Sequence, residues 1–329
     1  MQIRYRSEMI SKMNQSGAQK APFLVIVDFK GEKGYFIPKE DLDKNAICID
    51  FPTFSYHNNS NVTEEKSFLE LHPIPISKEQ YLNIFQQVHQ ELLFGNSYLL
   101  NLTFATPVGE NLPLEHIYNQ AIAPYKLYLK DQFLCYSPES FVKMEGNLIK
   151  SFPMKGTIDA RIPDAEQKLK KNKKELYEHY TIVDLIRNDL SMVASEVEVT
   201  RFRYFEKINT QRGAIFQTIS EITGTLPENW HDKLGDLFFT LLPAGSISGA
   251  PKEKTMEIIL KNEPTERGFY TGVAAYFDGV SLNSCVMIRF IKKDDNGNCF
   301  YHSGGGITAL SIGNEEYEEL ISKIYVPIS

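Results

Sequence analysis

Lys155 sits in Ser151-Phe152-Pro153-Met154-Lys155-Gly156-Thr157, a lysine between a proline-bearing approach and a Gly-Thr exit. An amine placed there could be an ordinary solvated charge, and Gly156 beside it permits close backbone approach to another group. Two acidic pairs follow. Glu175 and Glu178 are three residues apart, as are Glu316 and Glu319, and on a helix that spacing puts each pair on one face. Such pairs are either solvated helix faces or ligands that two helices offer to one hard divalent cation. Magnesium suits sparse carboxylates completed by water and substrate oxygens. Gly245-Ser246-Ile247-Ser248-Gly249-Ala250-Pro251 runs into a predicted helix, and Gly304-Gly305-Gly306 follows a predicted strand. Both read as tight turns or as places where backbone N–H groups meet an anion. Arg289 closes the apolar run Cys285-Val286-Met287-Ile288-Arg289. It is either a buried ion-pair partner or an anion clamp, since its bidentate fork matches a carboxylate.

These residues need elements to hold them. Cys135 to Val142 and Leu148-Ile149-Lys150 read as extended runs around a Glu145-Gly146-Asn147 turn, which puts Lys155 at the end of a strand leaving a hairpin. Residues 22–29 form a continuous apolar run of buried-strand type, turned by 30–34 onto Tyr35-Phe36-Ile37. A polar loop is expected from His57 to Lys66. Ser77 and Gln80 form a capping box opening a helix with Tyr81, Ile84, Phe85, Val88 and Leu92 on one side, closed near Gly95.

Ser97 to Phe104 returns to a strand pattern. The lysine-rich stretch 163–174 is expected as a flexible, solvated loop. Leu176 to Leu190 is predicted helical, with Tyr177, Tyr180, Ile182, Val183, Leu185 and Ile186 on its apolar face. Strands are expected at 197–200, 219–223, 273–277, 284–292 and 299–303. Helices are expected at 234–242, 254–260 and 314–324, with hairpin turns at Asp278-Gly279 and Asn296-Gly297. Few βαβ units alternate, which predicts an α+β layered sandwich, antiparallel sheets inside and helices outside. Residues 1–329 are expected to form a single catalytic domain, with 1–74 a short strand-rich N-terminal part and 75–329 its core.

Bulk composition narrows the functional classes. The chain has 329 residues, a net charge of −7, 42% hydrophobic and 23% charged residues. The acidic balance argues against nucleic acid or an anionic membrane as the main partner. No apolar run approaches a membrane span, and Met1-Gln2-Ile3-Arg4-Tyr5-Arg6 lacks a signal-peptide core, so a cytoplasmic location is expected. Cys48, Cys135, Cys285 and Cys299 are scattered without a CxxC pair, as reduced thiols would be.

Taken together, these motifs closely resemble the chorismate-utilising enzymes, a family that includes anthranilate, aminodeoxychorismate, isochorismate and salicylate synthases. The resemblance covers about residues 75–329. It rests on Gly95–Thr103, Ser137-Pro138-Glu139, Pro153–Thr157, Glu178–Leu190, Pro243–Lys252, Arg267–Gly272 and the Gly304–Gly306 turn with the acidic last helix. It implies a magnesium ion bound by Glu178 and Glu319, with Glu175 and Glu316 supporting, that holds the ring carboxylate of chorismate. Arg289, Tyr270 and the Gly304, Gly305 and Gly306 amides would grip the enolpyruvyl carboxylate. Gly156, Thr157 and Ser246 would line the same pocket, and Lys323 matches a family position near the metal.

Lys155 decides the branch that the resemblance implies. Anthranilate synthases typically carry alanine there, and aminodeoxychorismate synthases carry lysine. The implied reaction is a transfer in which lysine adds at C2 as the C4 hydroxyl leaves, Glu139 giving the departing oxygen a proton. Ammonia then adds at C4. The activity implied is that of an aminodeoxychorismate synthase component I, feeding para-aminobenzoate and folate. The ammonia would come from a separate glutamine amidotransferase subunit, because no Gly-x-Cys-x-Gly loop is present in this sequence. Leu99 stands at the position of the water-activating lysine of isochorismate synthases, which counts against that branch. Two departures accompany the match. Gln217 occupies the family's usual histidine position, and no tryptophan-inhibition pocket is recognisable. The alternatives are anthranilate synthase component I and a catalytically silent chorismate-binding subunit.

Overall fold

A computed structural model of the chain describes residues 1–57, 71–210 and 213–327. The polar loop expected from His57 to Lys66 therefore lies, beyond His57, outside the described residues. The chain forms two compact units. One comprises Met1–Lys39, Glu139–Ser246 and Gly272–Cys285. The other comprises Glu40–Pro138, Ile247–Thr271 and Val286–Ser329. No helix among the described residues is long and apolar enough to cross a membrane.

The first unit is built on a ten-stranded sheet. Its order is Arg4–Tyr5, Lys33–Pro38, Phe23–Val27, Val273–Phe277, Leu282–Val286, Ser140–Glu145, Leu148–Ser151, Gly213–Thr225 and Met154–Asp159, with Ser195–Thr210 also paired to Gly213–Thr225. Phe23–Val27 and Val273–Phe277 are buried at every position, which is why both read as unbroken apolar runs rather than alternating ones. The helix Lys173–Ser191 packs on this sheet, against Met154–Asp159 and the long hairpin Ser195–Thr225. Asn172 caps it, its Oδ1 accepting the Glu175 N–H at 3.2 Å. Ile182, Val183, Ile186 and Leu190 are buried as the period requires, whereas Tyr177 and Tyr180 stand exposed. Tyr180 instead stacks on Phe202, ring centroids 4.9 Å apart.

The second unit is built on an eight-stranded sheet. Its order is Gly249–Ala250, Leu99–Glu110, Asn298–Ile307, Phe290–Lys293, Phe133–Ser137, Tyr125–Leu129, Ile47–Phe51 and Phe54–Tyr56. The helices Lys78–Leu93 and Gly313–Ser322 contact each other, and Gly313–Ser322 also contacts Asn298–Ile307. Ser77 Oγ accepts the Gln80 N–H at 3.2 Å and meets Gln80 Oε1 at 3.1 Å, so the expected cap forms with the glutamine returning to the hydroxyl. At the other end Gly95 takes φ +80°. Gly95 N–H reaches Leu92 O and Asn96 N–H reaches Glu91 O, the two bonds of a Schellman close.

The α+β architecture with large antiparallel sheets and helices stands. Several local expectations do not. Residues 163–174 are not a loop: Ala165–Lys171 is helical and Lys173 already begins the next helix. The stretch 284–292 is not one strand. Leu282–Val286 ends in the ten-stranded sheet, Phe290–Lys293 belongs to the eight-stranded one, and Arg289 lies between them at φ +54°. Gly304–Gly306 is no turn but part of the strand Asn298–Ile307, paired with Asn101, Leu102 and Thr103. The hairpin strands 195–210 and 213–225 run far beyond the expected 197–200 and 219–223, because their polar, half-exposed positions hide the alternation.

Candidate active site

In the first unit Lys155 is the second residue of Met154–Asp159. The register against Gly213–Thr225 slips between Met154↔Ile219 and Thr157↔Gln217, so Lys155 and Gly156 form a bulge. Bulges re-aim side chains, and here the lysine amine comes 3.8 Å from Glu178 Oε2. Gly156 takes φ +82°, and a Cβ there would lie 2.9 Å from Glu175 Oε2 and 3.2 Å from Leu169 Cδ1. Only glycine fits both the backbone conformation and the space. Glu175 and Glu178 thus face the lysine-bearing bulge together, as the three-residue spacing predicts. Thr157, next along the strand, is exposed.

Ser246 and Glu139 meet in the same unit. The Ser246 hydroxyl donates to Glu139 Oε1 at 2.6 Å. A hydroxyl can donate to a carboxylate or accept from a carboxylic acid, so this contact can persist through a proton transfer at Glu139. Gly245 has its own constraint, since a Cβ there would lie 2.7 Å from Asp189 Oδ2.

Beneath Lys155 lies a polar cluster that sequence reasoning missed. Thr218, Ser220 and His179 have no solvent exposure. Thr218 Oγ1 donates to the Lys155 carbonyl oxygen. His179 Nε2 lies 2.7 Å from Ser220 Oγ, which also accepts the Arg203 N–H at 2.9 Å. Burial, reinforced by the Arg203 guanidinium, pushes the His179 imidazole down to about 4. His179 Nδ1 is buried without a hydrogen-bond partner. A signal was available: His179 precedes Ile182, Val183 and Ile186 at helical spacing on the buried stripe. Gln217 Nε2 lies 3.2 Å from Met154 Sδ and 3.4 Å from Glu206 Oε2.

In the second unit Glu316, Glu319, Lys323 and the glycine strand come together. A Cβ on Gly305 would lie 3.5 Å from both Glu316 Oε2 and Glu319 Oε1. Lys323 Nζ donates to Gly304 O at 2.8 Å and to Glu319 Oε1 at 2.6 Å. Glu316 is buried and Glu319 exposed. Gly304 cannot carry a side chain, since a Cβ would fall 2.6 Å from Leu102 O and from Thr103 Cγ2.

Tyr270 and Arg289 also belong to this unit. Tyr270 is buried and its phenol is pushed up, first by burial, so it stays neutral. Burial alone would lower Arg289, but Tyr301, Tyr325 and Tyr270 outweigh it and hold the guanidinium charged. Its carbon lies 5.6 Å from the Tyr325 ring centroid. The loop bearing Tyr270 hangs on Arg267. Nε and one terminal nitrogen bind the two Glu263 oxygens at 2.8 and 2.6 Å, and the guanidinium also reaches Ile247 O and Asn101 O. Sequence reasoning quoted Arg267 in a motif without giving it this work.

The carboxylates suit magnesium in donor type, because a hard cation takes oxygen ligands and a buried carboxylate such as Glu316 needs a compensating charge. Glu175 and Glu178 lie in the first unit, Glu316 and Glu319 in the second. Among the described residues no group of three or more His, Cys, Asp or Glu side chains is gathered around a common point.

The chorismate binding enzyme family matches residues 33–329, and the chain belongs to that family. It is 50% identical over 323 residues to an uncharacterised PabA-like protein of Pasteurella multocida, covering 97% of this chain and 98% of that one. It is 35% identical over 317 residues to aminodeoxychorismate synthase component 1 of Escherichia coli, covering 91% of this chain and 67% of that one. Anthranilate synthase component I of Streptococcus pneumoniae superposes with a TM-score of 0.62 at 25% identity, over 78% of this chain and 60% of that one. The menaquinone-specific isochorismate synthase MenF of Escherichia coli superposes with a TM-score of 0.70 at 15% identity, over 96% and 80%, a likeness of fold alone.

Proposed function

We propose that the enzyme converts chorismate and ammonia to 4-amino-4-deoxychorismate and water, with Lys155 as nucleophile. The observation that carries the reading is the bulge that aims Lys155 at Glu178 beside a glycine that nothing larger can replace. The lysine nitrogen attacks C2 of the ring, the double bond shifts, and the C4 hydroxyl leaves as water with a proton from Glu139. Ammonia then attacks C4, the lysine amine is expelled from C2, and the surplus proton returns to Glu139. Ser246 can follow that proton from either side, as a donor or as an acceptor. A lysine flanked by a carboxylate has a local acceptor for the proton it must lose before attack.

The reading assigns magnesium to Glu178 and Glu319, with Glu175 and Glu316 supporting. The ion would supply positive charge for a substrate carboxylate. Arg289, Tyr270 and the Gly304–Gly306 strand are assigned to the second carboxylate, Gly156, Thr157 and Ser246 to the pocket lining, and Lys323 to holding Glu319. A separate glutamine amidotransferase is the proposed ammonia source, the product feeds para-aminobenzoate and folate, and the enzyme works in the cytoplasm. Support comes from the aminodeoxychorismate synthase component 1 relative of Escherichia coli. Anthranilate synthesis is the second reading, favoured by a relative of that name in Acetivibrio thermocellus at 31% identity. Lys155 separates the two. Lys155→Ala is expected to abolish amination from ammonium while chorismate still binds. Amination at the wild-type rate would remove the lysine from the mechanism.

A further inference from the structure

We infer that Tyr325 is a positioning residue for Arg289, its ring backing the guanidinium while Tyr136 and Tyr301 hold it from the core. The inference rests on the reading of Arg289 as the grip on a substrate carboxylate for its kinetic consequence, and on contacts within the second unit for its geometry. Arg289 lies between two strands at φ +54°, an uncommon conformation for a residue with a Cβ. Its main chain is tied to the neighbouring strand, since Tyr136 N–H donates to Arg289 O at 3.1 Å. The guanidinium carbon sits over the Tyr325 ring, 5.6 Å from its centroid, within the range of a cation–π contact.

Tyr325 follows the helix Gly313–Ser322 and lies in no helix or strand of its own. Two phenols without solvent exposure fix it instead. Tyr136 OH donates to the Tyr325 carbonyl oxygen at 3.1 Å and Tyr301 OH at 3.0 Å. A buried hydroxyl is unfavourable unless its hydrogen bond is made, and one carbonyl has two lone pairs to receive both protons. On either side Ile324 and Val326 pack against the apolar cluster that contains both phenol rings. Ile122 N–H donates to Pro327 O at 2.7 Å. Tyr136 therefore touches both partners, its N–H on Arg289 and its hydroxyl on Tyr325, so the arginine and the ring behind it share one anchor. An arginine stem has many rotamers, and a ring face that limits them lowers the ordering cost of closing on a carboxylate.

The test uses variants of the full chain with saturating ammonium. Tyr325→Leu keeps the main-chain carbonyl and removes the ring. It is expected to raise KM for chorismate about tenfold. Its kcat should stay within about twofold, because the contact serves bound substrate and transition state alike. Tyr325→Phe keeps the ring and is expected to stay within about threefold of the wild-type KM. In an Arg289→Ala background Tyr325→Leu is expected to add nothing, since its effect runs through the guanidinium. A wild-type KM in Tyr325→Leu, or an equal loss in the Arg289→Ala background, would mean that the ring only fills space and would overturn the inference.

The second arm needs neither chorismate nor the leucine variant. In 15N-arginine-labelled wild-type protein, the Nε–H signal missing from Arg289→Lys is expected upfield of a solvated arginine, shifted by the ring face, and is expected to stay there in Tyr325→Phe. A signal at the position of a solvated arginine would refute the inference. If Arg289→Ala leaves KM unchanged while the upfield signal is found, the reading of Arg289 fails and the positioning geometry survives.

Discussion

Glu263 offers a quantitative test of how the second unit holds its tyrosine loop. Its side chain is 4% exposed and that of Arg267 is 2% exposed. Glu263 takes two hydrogen bonds from Arg267 at 2.6 and 2.8 Å and one from the Thr103 N–H at 2.8 Å. Glu263→Ala strands a buried guanidinium and orphans a main-chain donor. Breaking a buried pair on one side costs about 3–5 kcal/mol, and an unsatisfied buried donor about 1–3 kcal/mol. The guanidinium keeps its bonds to Ile247 O and Asn101 O, which places the expected loss near the lower end, about 4 kcal/mol. At about 2 °C per kcal/mol for a chain of this size, Tm falls by about 8 °C. Differential scanning calorimetry reads this directly. Glu263→Met combined with Arg267→Met removes both charges and is expected to lose less than Glu263→Ala alone. A shift below about 2 °C for the single variant, or a double variant worse than the single one, would refute the reasoning.

Other expectations follow from the same structure. Gly156→Ala forces a Cβ into a φ of +82° and to 2.9 Å from Glu175 Oε2, so stability should fall by about 1–2 kcal/mol and amination with it; urea titration with a parallel assay checks both. Burial pushes His302 down to about 3, so the folded state refuses a proton that the unfolded state accepts below its ordinary value of 6.5. Its contribution to stability is complete above that value and declines as pH falls from 6.5 toward 3, by about 1.4 kcal/mol per pH unit. His302→Phe should flatten that slope, measured as Tm against pH between 7 and 4. Chelating divalent cations with EDTA should stop amination, magnesium should restore it, and Glu319→Gln should blunt the restoration; unchanged activity in EDTA would remove the metal from the reading.

Legibility in the sequence followed the physics of each element. Continuous apolar runs such as Phe23–Val27 and capped helices such as Lys78–Leu93 announced themselves because burial and capping leave local signatures. The i, i+3 glutamate pairs could be placed on one face from spacing alone, and the face proved to be the one turned to Lys155 or to Gly305. The lysine-rich stretch 163–174 misled because its helix shows only Ala165 and Leu169 to the interior, too few positions for a period. The glycines at 304–306 read as a turn, yet they lie in a strand where Gly304 is forced by the close approach of Leu102 and Thr103. Long-range partnerships left the least trace. Nothing near His179 in sequence predicts Ser220, 41 residues away, and nothing near Arg267 predicts Asn101.

The product of the reaction tests the central claim most directly. Purified enzyme incubated with chorismate, magnesium and ammonium at mildly alkaline pH is predicted to release 4-amino-4-deoxychorismate, identified by mass and ultraviolet spectrum with its enolpyruvyl group intact. Anthranilate together with pyruvate, or isochorismate, would contradict the account.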